Sequence, residues 1–512
     1  MMWRWPVVLL ISALLVAGMA YDRRTGGEPG RRGGGTATTG ESVELARAMA
    51  VATPEDALSS TWFCTGGSTA GRGATDLVVV ANPGEVEVSG TITAVPSTGR
   101  PRTRPLRVPP RGRTVIDLAE MVRAPYVAAT LELAGGGMVV EHQVSGPTGT
   151  DVAPCATSGS STWYFASGST TRDADETLVL FNPFADDASV DIAFATEDGR
   201  RTPVAFHGLQ VPARSVVAAH VSPVVTVSTQ VSAAVVARSG RVVAARRQTF
   251  DGTGASTTRA GAAAETHRPK GLSITAGVPR AATTWMFPYG LKDEGAHERY
   301  VVYNPSTRQA DVDLVVTLDD PERNGRIDPF ELTVAPGSFA MVDLDVEDRV
   351  ATRVGHVAVV VSRNGVEVVA ERLLATTDPF PTTDTAVSAG SPLAAPTWVF
   401  AAGGSVKGRQ QEHISLQNPG ANPVEVRLDQ FGDGMLRPID GRGPVSIGPW
   451  GSTTVELDEV VDAPSISLVI TGSAPIVAER MVRRPRGSNL STVIGIPLPD
   501  GIVAATPAVV PG

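Results

Sequence analysis

Thr284-Trp285-Met286-Phe287 is one of four occurrences of a single short phrase; the others are Thr61-Trp62-Phe63, Thr162-Trp163-Tyr164-Phe165 and Thr397-Trp398-Val399-Phe400. Successive tryptophans stand roughly a hundred residues apart, the size of one compact domain. The 512-residue chain therefore reads as one architectural unit used four times.

Working outward from the tryptophan, each unit next carries a short apolar run ending in Asn-Pro: Asn82-Pro83, Asn182-Pro183, Asn304-Pro305 and Asn418-Pro419. Asn tolerates turn conformations and bonds its own backbone, and Pro cannot donate to a ladder, so the pair closes a strand and opens a turn. Strict alternation follows. Val312, Leu314 and Val316 interleave with Asp311 and Asp313, and Val424, Val426 and Leu428 interleave with Glu425 and Arg427, the period of a half-buried strand. A further phrase opens near Pro109, Pro212, Pro336 or Pro449 and ends on a strand whose inward positions are Ile116/Leu118, Ala219/Val221, Val342/Leu344 and Val455/Leu457. Asp117, His220, Asp343 and Glu456 are expected to face outward. The last expected strand carries Glu141-His142, Ala245-Arg246, Glu371-Arg372 or Glu479-Arg480.

These pieces amount to about seven short strands per unit with no helical period between them, the pattern of a two-sheet sandwich. The expected fold is all-β: four tandem immunoglobulin-like β-sandwich repeats after an N-terminal hydrophobic segment, each tryptophan plugging a core. A propeller is the alternative, but its blades need only about 40–50 residues. The expected boundaries are a signal anchor or signal peptide at 1–20, a flexible linker at 21–58, and repeats at 59–158, 159–250, 282–376 and 394–485. A linker at 251–281, a second Pro- and Gly-bearing connector near 376–395, and a tail at 486–512 complete the division.

The run Val7–Gly18, with Arg4 before it and Arg23-Arg24 after it, is either an uncleaved anchor or a cleaved signal peptide. Both place the remainder outside the cytoplasm. There an even cysteine count reads as a disulfide, and only Cys64 and Cys155 are present to form one. The loop-entropy model gives such a bridge at most roughly 4–5 kcal/mol. A formal net charge of -9 lacks the electrostatic footprint of a nucleic-acid binder.

Chemistry is harder to find. The seven histidines form no zinc-ligand spacing, and no nucleophile elbow or phosphate-cradling loop is present. Asp320, Glu322, Asn324, Arg326, Asp328 and Glu331 have the spacing of a calcium loop, with the Arg326 position offering its backbone carbonyl and Gly325 the turn. A plain solvated hairpin tip is the competing reading, since no helical pattern flanks it. Trp450, in the turn Pro449-Trp450-Gly451, is a candidate for stacking on a sugar or a partner, against simple packing on a neighbouring loop.

The hydrophobic N-terminus, the Cys64/Cys155 pair, the Trp phrases, the Asn-Pro turns and the Val-Ala-Glu-Arg strand ends together resemble an actinobacterial family of membrane-anchored, extracytoplasmic repeat proteins whose domain has no known function. The likeness spans roughly residues 59–485 and concerns architecture. Ala245 departs from it, standing where Glu141, Glu371 and Glu479 stand elsewhere, so the Glu-Arg strand ends read as surface ion pairs of little worth. The expected function is a non-catalytic cell-envelope scaffold, with other envelope proteins or wall polymers as partners and the membrane engaged through the N-terminal segment. A glycan-binding protein and an envelope enzyme are the alternatives.

Overall fold

Ala310–Leu318 shows how the sequence pattern becomes structure: every second side chain is buried, and Asp311 and Asp313 lie on the more open face. The computed structural model describes residues 46–71, 73–253, 269–319, 325, 327–377, 384–439, 443–484 and 490–505. Among these the chain is all-β, in several antiparallel sheets.

Each Trp-bearing segment contributes two facing sheets. In the third, Thr284–Phe287, His356–Ser362, Ala310–Leu318 and Phe330–Val334 form one sheet in that order, and Phe339–Asp343, Ala296–Tyr303, Val369–Thr376 and Asp384–Ala389 form the other. The first segment repeats this order with Ser60–Gly67, Val127–Leu133, Val88–Pro96 and Arg102–Val108 facing Gly112–Asp117, Thr75–Asn82, Val139–Gly146 and Gly149–Pro154. In the fourth segment the long strand Ser467–Arg483 serves both sheets. All four tryptophans are buried between sheets, and Trp163, Trp285 and Trp398 donate to the backbone carbonyls of Val242, Val368 and Ile476, each at 2.8 Å.

The buried asparagines explain the Asn-Pro turns. Asn304 donates to Arg308 O within its own turn and to Val334 O on the other sheet, and its side-chain oxygen accepts from Ser306 N. Asn82, Asn182 and Asn418 make the corresponding bonds to Val108, Val211 and Ile447. One side chain thus ends a strand, shapes a turn and ties the two sheets together.

Two stretches expected to be connectors hold strands: Lys270–Ala276 lies within 251–281 and Asp384–Ala389 within 376–395. In the tail, Leu490–Ile494 adds a strand to the fourth segment. With Gly149–Pro154 they are the inner strands, each pairing with the strand that carries its segment's Glu-Arg position. Their Gly and Pro neighbours resemble linker composition because the strands are short and meet side chains rather than solvent at their free edges.

The four inner strands lie side by side in a closed cycle: first against second, second against third, third against fourth, and fourth against first. The apolar cores follow the same cycle. Phe63 and Ala128 join the second segment's core, Ala166 and Ala234 the third's, Met286 the fourth's, and Val399 and Ala401 the first's.

Structural register also relocates the first segment's aromatic position. Phe165, Phe287 and Phe400 press their rings on Gly277, Gly390 and Gly495, where a Cβ would come within 2.8 or 2.9 Å of a ring carbon. The equivalents in the first segment are Cys64 and Cys155, joined in a disulfide; Phe63 points instead toward Phe181 and Phe184 of the second segment. A Phe–Gly contact has been exchanged for a Cys–Cys bond at one site. Cys64→Phe alone therefore breaks the disulfide, at a cost of about 2–5 kcal/mol, and also overpacks against Cys155 by about 1–3 kcal/mol; adding Cys155→Gly recovers the overpacking part and not the lost bridge. Thermal melts of the three proteins test this; a double variant no more stable than the single one contradicts the equivalence.

Candidate functional site

The Glu-Arg strand ends are buried and act between segments, which corrects their reading as surface pairs. Alternation sends the glutamate out of its own sandwich, but the face it leaves by is covered by the preceding segment. Glu371 reaches into the second segment, where Oε2 accepts from Arg246 Nη1 at 2.9 Å and from Ser167 N at 2.7 Å. Glu141 reaches the fourth in the same way, meeting Arg480 at 3.2 Å and Ala402 N at 2.7 Å. Glu479 bonds Arg372 of the third. Arg246, Arg372 and Arg480 lie over the rings of Phe165, Tyr289 and Phe400, and all three are fully buried.

The junction between the first and second segments carries no such pair. Ala245 replaces the glutamate, His142 replaces the arginine, and the amide-donor position is Gly66, where a Cβ would stand 3.3 Å from the Ala245 methyl. Both charges are missing together, so neither is left alone in the interior.

A second set of acids backs the first. Six residues before each turn asparagine stand Asp76, Glu176, Glu298 and Glu412, all buried. Glu298 lies 3.0 Å from His356 and 3.8 Å from Arg372, and accepts from Tyr300 Oη at 2.7 Å. His356 and Arg372 hold its carboxyl below the usual range despite burial. Asp76, the shortest of the four acids, faces His142 at 3.7 Å. Burial pushes Glu176 up to about 8 against the pull of Arg246, and Glu412 up to about 7 against the pull of Arg480.

At the inner strands, edge amides are capped by side chains of the preceding segment. Ile274 N donates to Asp151 Oδ2 at 2.7 Å, Val387 N to Ser273 Oγ at 3.2 Å, Leu490 N to Asp384, and Val152 N to Ser491 Oγ at 3.2 Å. Unpaired strand edges are thereby satisfied without a continuous ladder. Burial raises Asp151 to about 6 and Asp384 to about 8. Beside these strands is a cavity of about 170 Å³ that touches all four segments through residues such as Cys155, Ile274, Val387 and Ile494. Ala46–Ala50 also lines it, with Ala48 buried and Met49 Sδ accepting from Ser391 Oγ at 3.6 Å.

The sequence-derived candidates lie elsewhere. Asp320, Glu322, Asn324 and Arg326 lie outside the described residues; Asp328 gives its backbone oxygen to Arg349, and Glu331 pairs with Arg363. Among the described residues no group of three His, Cys, Asp or Glu is placed to hold a metal. Trp450 is half-buried with φ 59°, and Arg111, Arg214 and Gly337 hold the same turn at φ 45°, 53° and 62°. The buried acids could have been suspected from sequence only by asking why a charge recurs at one register position in all four segments.

Two measurements follow from the buried charges. Removing one partner of a buried pair costs about 3–5 kcal/mol because the other is stranded. Glu371→Ala and Arg246→His are each expected to fall in that range, and the double variant, which copies the natural Ala245/His142 junction, to lose less than their sum. Additive losses in urea unfolding contradict coupling. The pH dependence has a definite sign. Glu176 binds its proton more tightly folded than unfolded, so its contribution is fully present below about 4.5 and declines as pH rises through about 8. Glu176→Gln is expected to flatten the stability–pH slope in that window and to raise stability at its alkaline end; an unaltered slope contradicts the assignment.

Comparisons with known proteins add the family. A Thermotoga maritima 1070 structure is 21% identical over 21% of this chain and 97% of that one, with a TM-score of 0.19. Streptomyces avermitilis α-L-rhamnosidase complexed with L-rhamnose is 9% identical over 83% of this chain and 43% of that one, with a TM-score of 0.13. A tetra-tandem repeat in the extending region of a large adhesion protein is 12% identical over 83% and 93%, with a TM-score of 0.09. At such scores these likenesses carry no argument. No curated protein matches the chain. Residues 134–402, just over half of the sequence, match the model of DUF5719, a family of unknown function, and the chain belongs to that family.

Proposed function

We propose that this protein is a non-catalytic scaffold of an actinobacterial cell envelope, built of four immunoglobulin-like units and held beyond the membrane by its N-terminal segment or released when that segment is cleaved. The disulfide between Cys64 and Cys155 fits an oxidising compartment. The observation that carries the scaffold reading is a constant frame with variable turns. Arg111, Arg214, Gly337 and Trp450 occupy one left-handed turn position in four segments, while the buried charges and asparagines behind them repeat. Such a frame presents different side chains from equivalent places, which suits protein partners in the envelope.

The test is site-specific photocrosslinking from the turns. A photoreactive residue at Arg214 and another at Trp450, in the full chain expressed in its own cells, are expected to give discrete protein adducts in the envelope fraction. Adducts that carry only wall sugars favour the glycan-binding reading. Recovery of the chain in the cytoplasm with both cysteines reduced overturns the placement.

A further inference from the structure

Between the first and fourth segments lies a recess of about 80 Å³ whose charged lining residues, among the described residues, are two arginines: Arg113 on Gly112–Asp117 and Arg484 just beyond Ser467–Arg483. No Asp or Glu among the described residues lines it. Arg484 donates through Nε to Gln410 Oε1 at 2.8 Å, and its other donors have no partner among the described residues. The Arg113 side chain has no hydrogen bond or ion pair among the described residues either. Gln143 and Ser465 add uncommitted polar groups to the walls, whereas Thr150 and Ser491 turn their hydroxyls to Ser145 and Asp151.

The two guanidiniums are partly withdrawn from water without a counter-ion to compensate. Burial lowers the pKa of Arg484 with no opposing charge, and lowers that of Arg113 against the more distant pull of Asp433 and Glu412. The three fully buried arginines, Arg246, Arg372 and Arg480, are each matched to an acid. Arginines from two segments, left unmatched in one recess, are arranged for an anion supplied from outside.

We propose that this recess binds a phosphoryl group, gripped by Arg113 from the first segment and Arg484 from the fourth. The volume suits a compact tetrahedral oxyanion. Oxygens splayed tetrahedrally about phosphorus let one group meet forks from both walls, whereas a carboxylate's two oxygens lie in one plane with its carbon. A phosphoryl group can come from free phosphate or from a phosphodiester in a polymer or lipid headgroup, and the recognition chemistry is shared. The site does not depend on the scaffold reading, since its binding is measured on purified protein.

Titration calorimetry on the full chain at low salt, with sodium phosphate and separately with a glycerol phosphodiester, tests it. Saturable binding of at least one probe is expected. Arg113→Gln and Arg484→Gln should each weaken it by about tenfold or more, while Arg238→Gln, an exposed arginine paired with Asp191, leaves it unchanged. Tighter binding of the diester assigns the site to a polymer or headgroup, and tighter binding of phosphate to the free ion. If a Gln variant loses its β-sheet spectrum, Arg113→Lys replaces it; keeping the charge without the fork, it should bind with intermediate affinity. No saturable binding by either probe, or wild-type affinity in the folded Arg113 and Arg484 variants, overturns the proposal.

Discussion

A buried carboxylate needs a partner, and for the glutamates of the Glu-Arg strand ends the partner belongs to the preceding segment of the cycle. Glu371 requires Arg246, Glu479 requires Arg372, and Glu141 requires Arg480. Apolar faces rich in Val and Ala pack on many surfaces with little discrimination; a glutamate entering a neighbour's interior accepts one arrangement only. Ion pairs this deep are poor sources of net stability but strong penalties on wrong pairing. They set the order of the segments, and because the first segment's acid is answered only in the fourth, they also require the cycle to close. The capped inner-strand amides run in the same direction, so two independent polar systems specify one arrangement.

The junction of the first and second segments shows that the constraint concerns balance rather than charge itself. Ala245, His142, Gly66 and the shortened Asp76 all fall there, and together they remove a pair without stranding a charge. The first segment also exchanges a Phe–Gly contact for the disulfide. The segment that lacks a Glu–Arg pair with the second has a covalent tie of its own, from its Trp-bearing strand to the end of its inner strand.

What could be read in the sequence was whatever depends on local periodicity. The tryptophans, the Asn-Pro turns and the alternation over Ala310–Leu318 are consequences of strand geometry and appear where expected. The Glu-Arg ends read as surface pairs for an equally physical reason. Alternation says that Glu371 leaves its own sandwich, and for an isolated unit the far side of a sheet is water; only a neighbour makes it an interior. The inner strand Lys270–Ala276 reads as a connector because Gly and Pro flank it and its edge is answered by side chains, not by a ladder that would demand a longer apolar run. The unmatched pair Arg113 and Arg484 is invisible for the same cause: the residues stand far apart in sequence and share a recess only once the cycle has closed.

The turn occupied by Arg111, Arg214, Gly337 and Trp450 then gains its meaning from the frame behind it. A left-handed backbone is unfavourable for any residue but glycine, and three of the four positions adopt it with large side chains. The strain is held by backbone bonds that do not depend on the side chain: Arg111 N to Gly84 O, Arg214 N to Phe184 O, and Trp450 N to Gly420 O. The asparagine at the base of each turn fixes its other end to both sheets. A position so fully determined by its backbone is indifferent to what it displays. It can therefore carry a cation in two segments, nothing in a third and an indole in the fourth without disturbing the core.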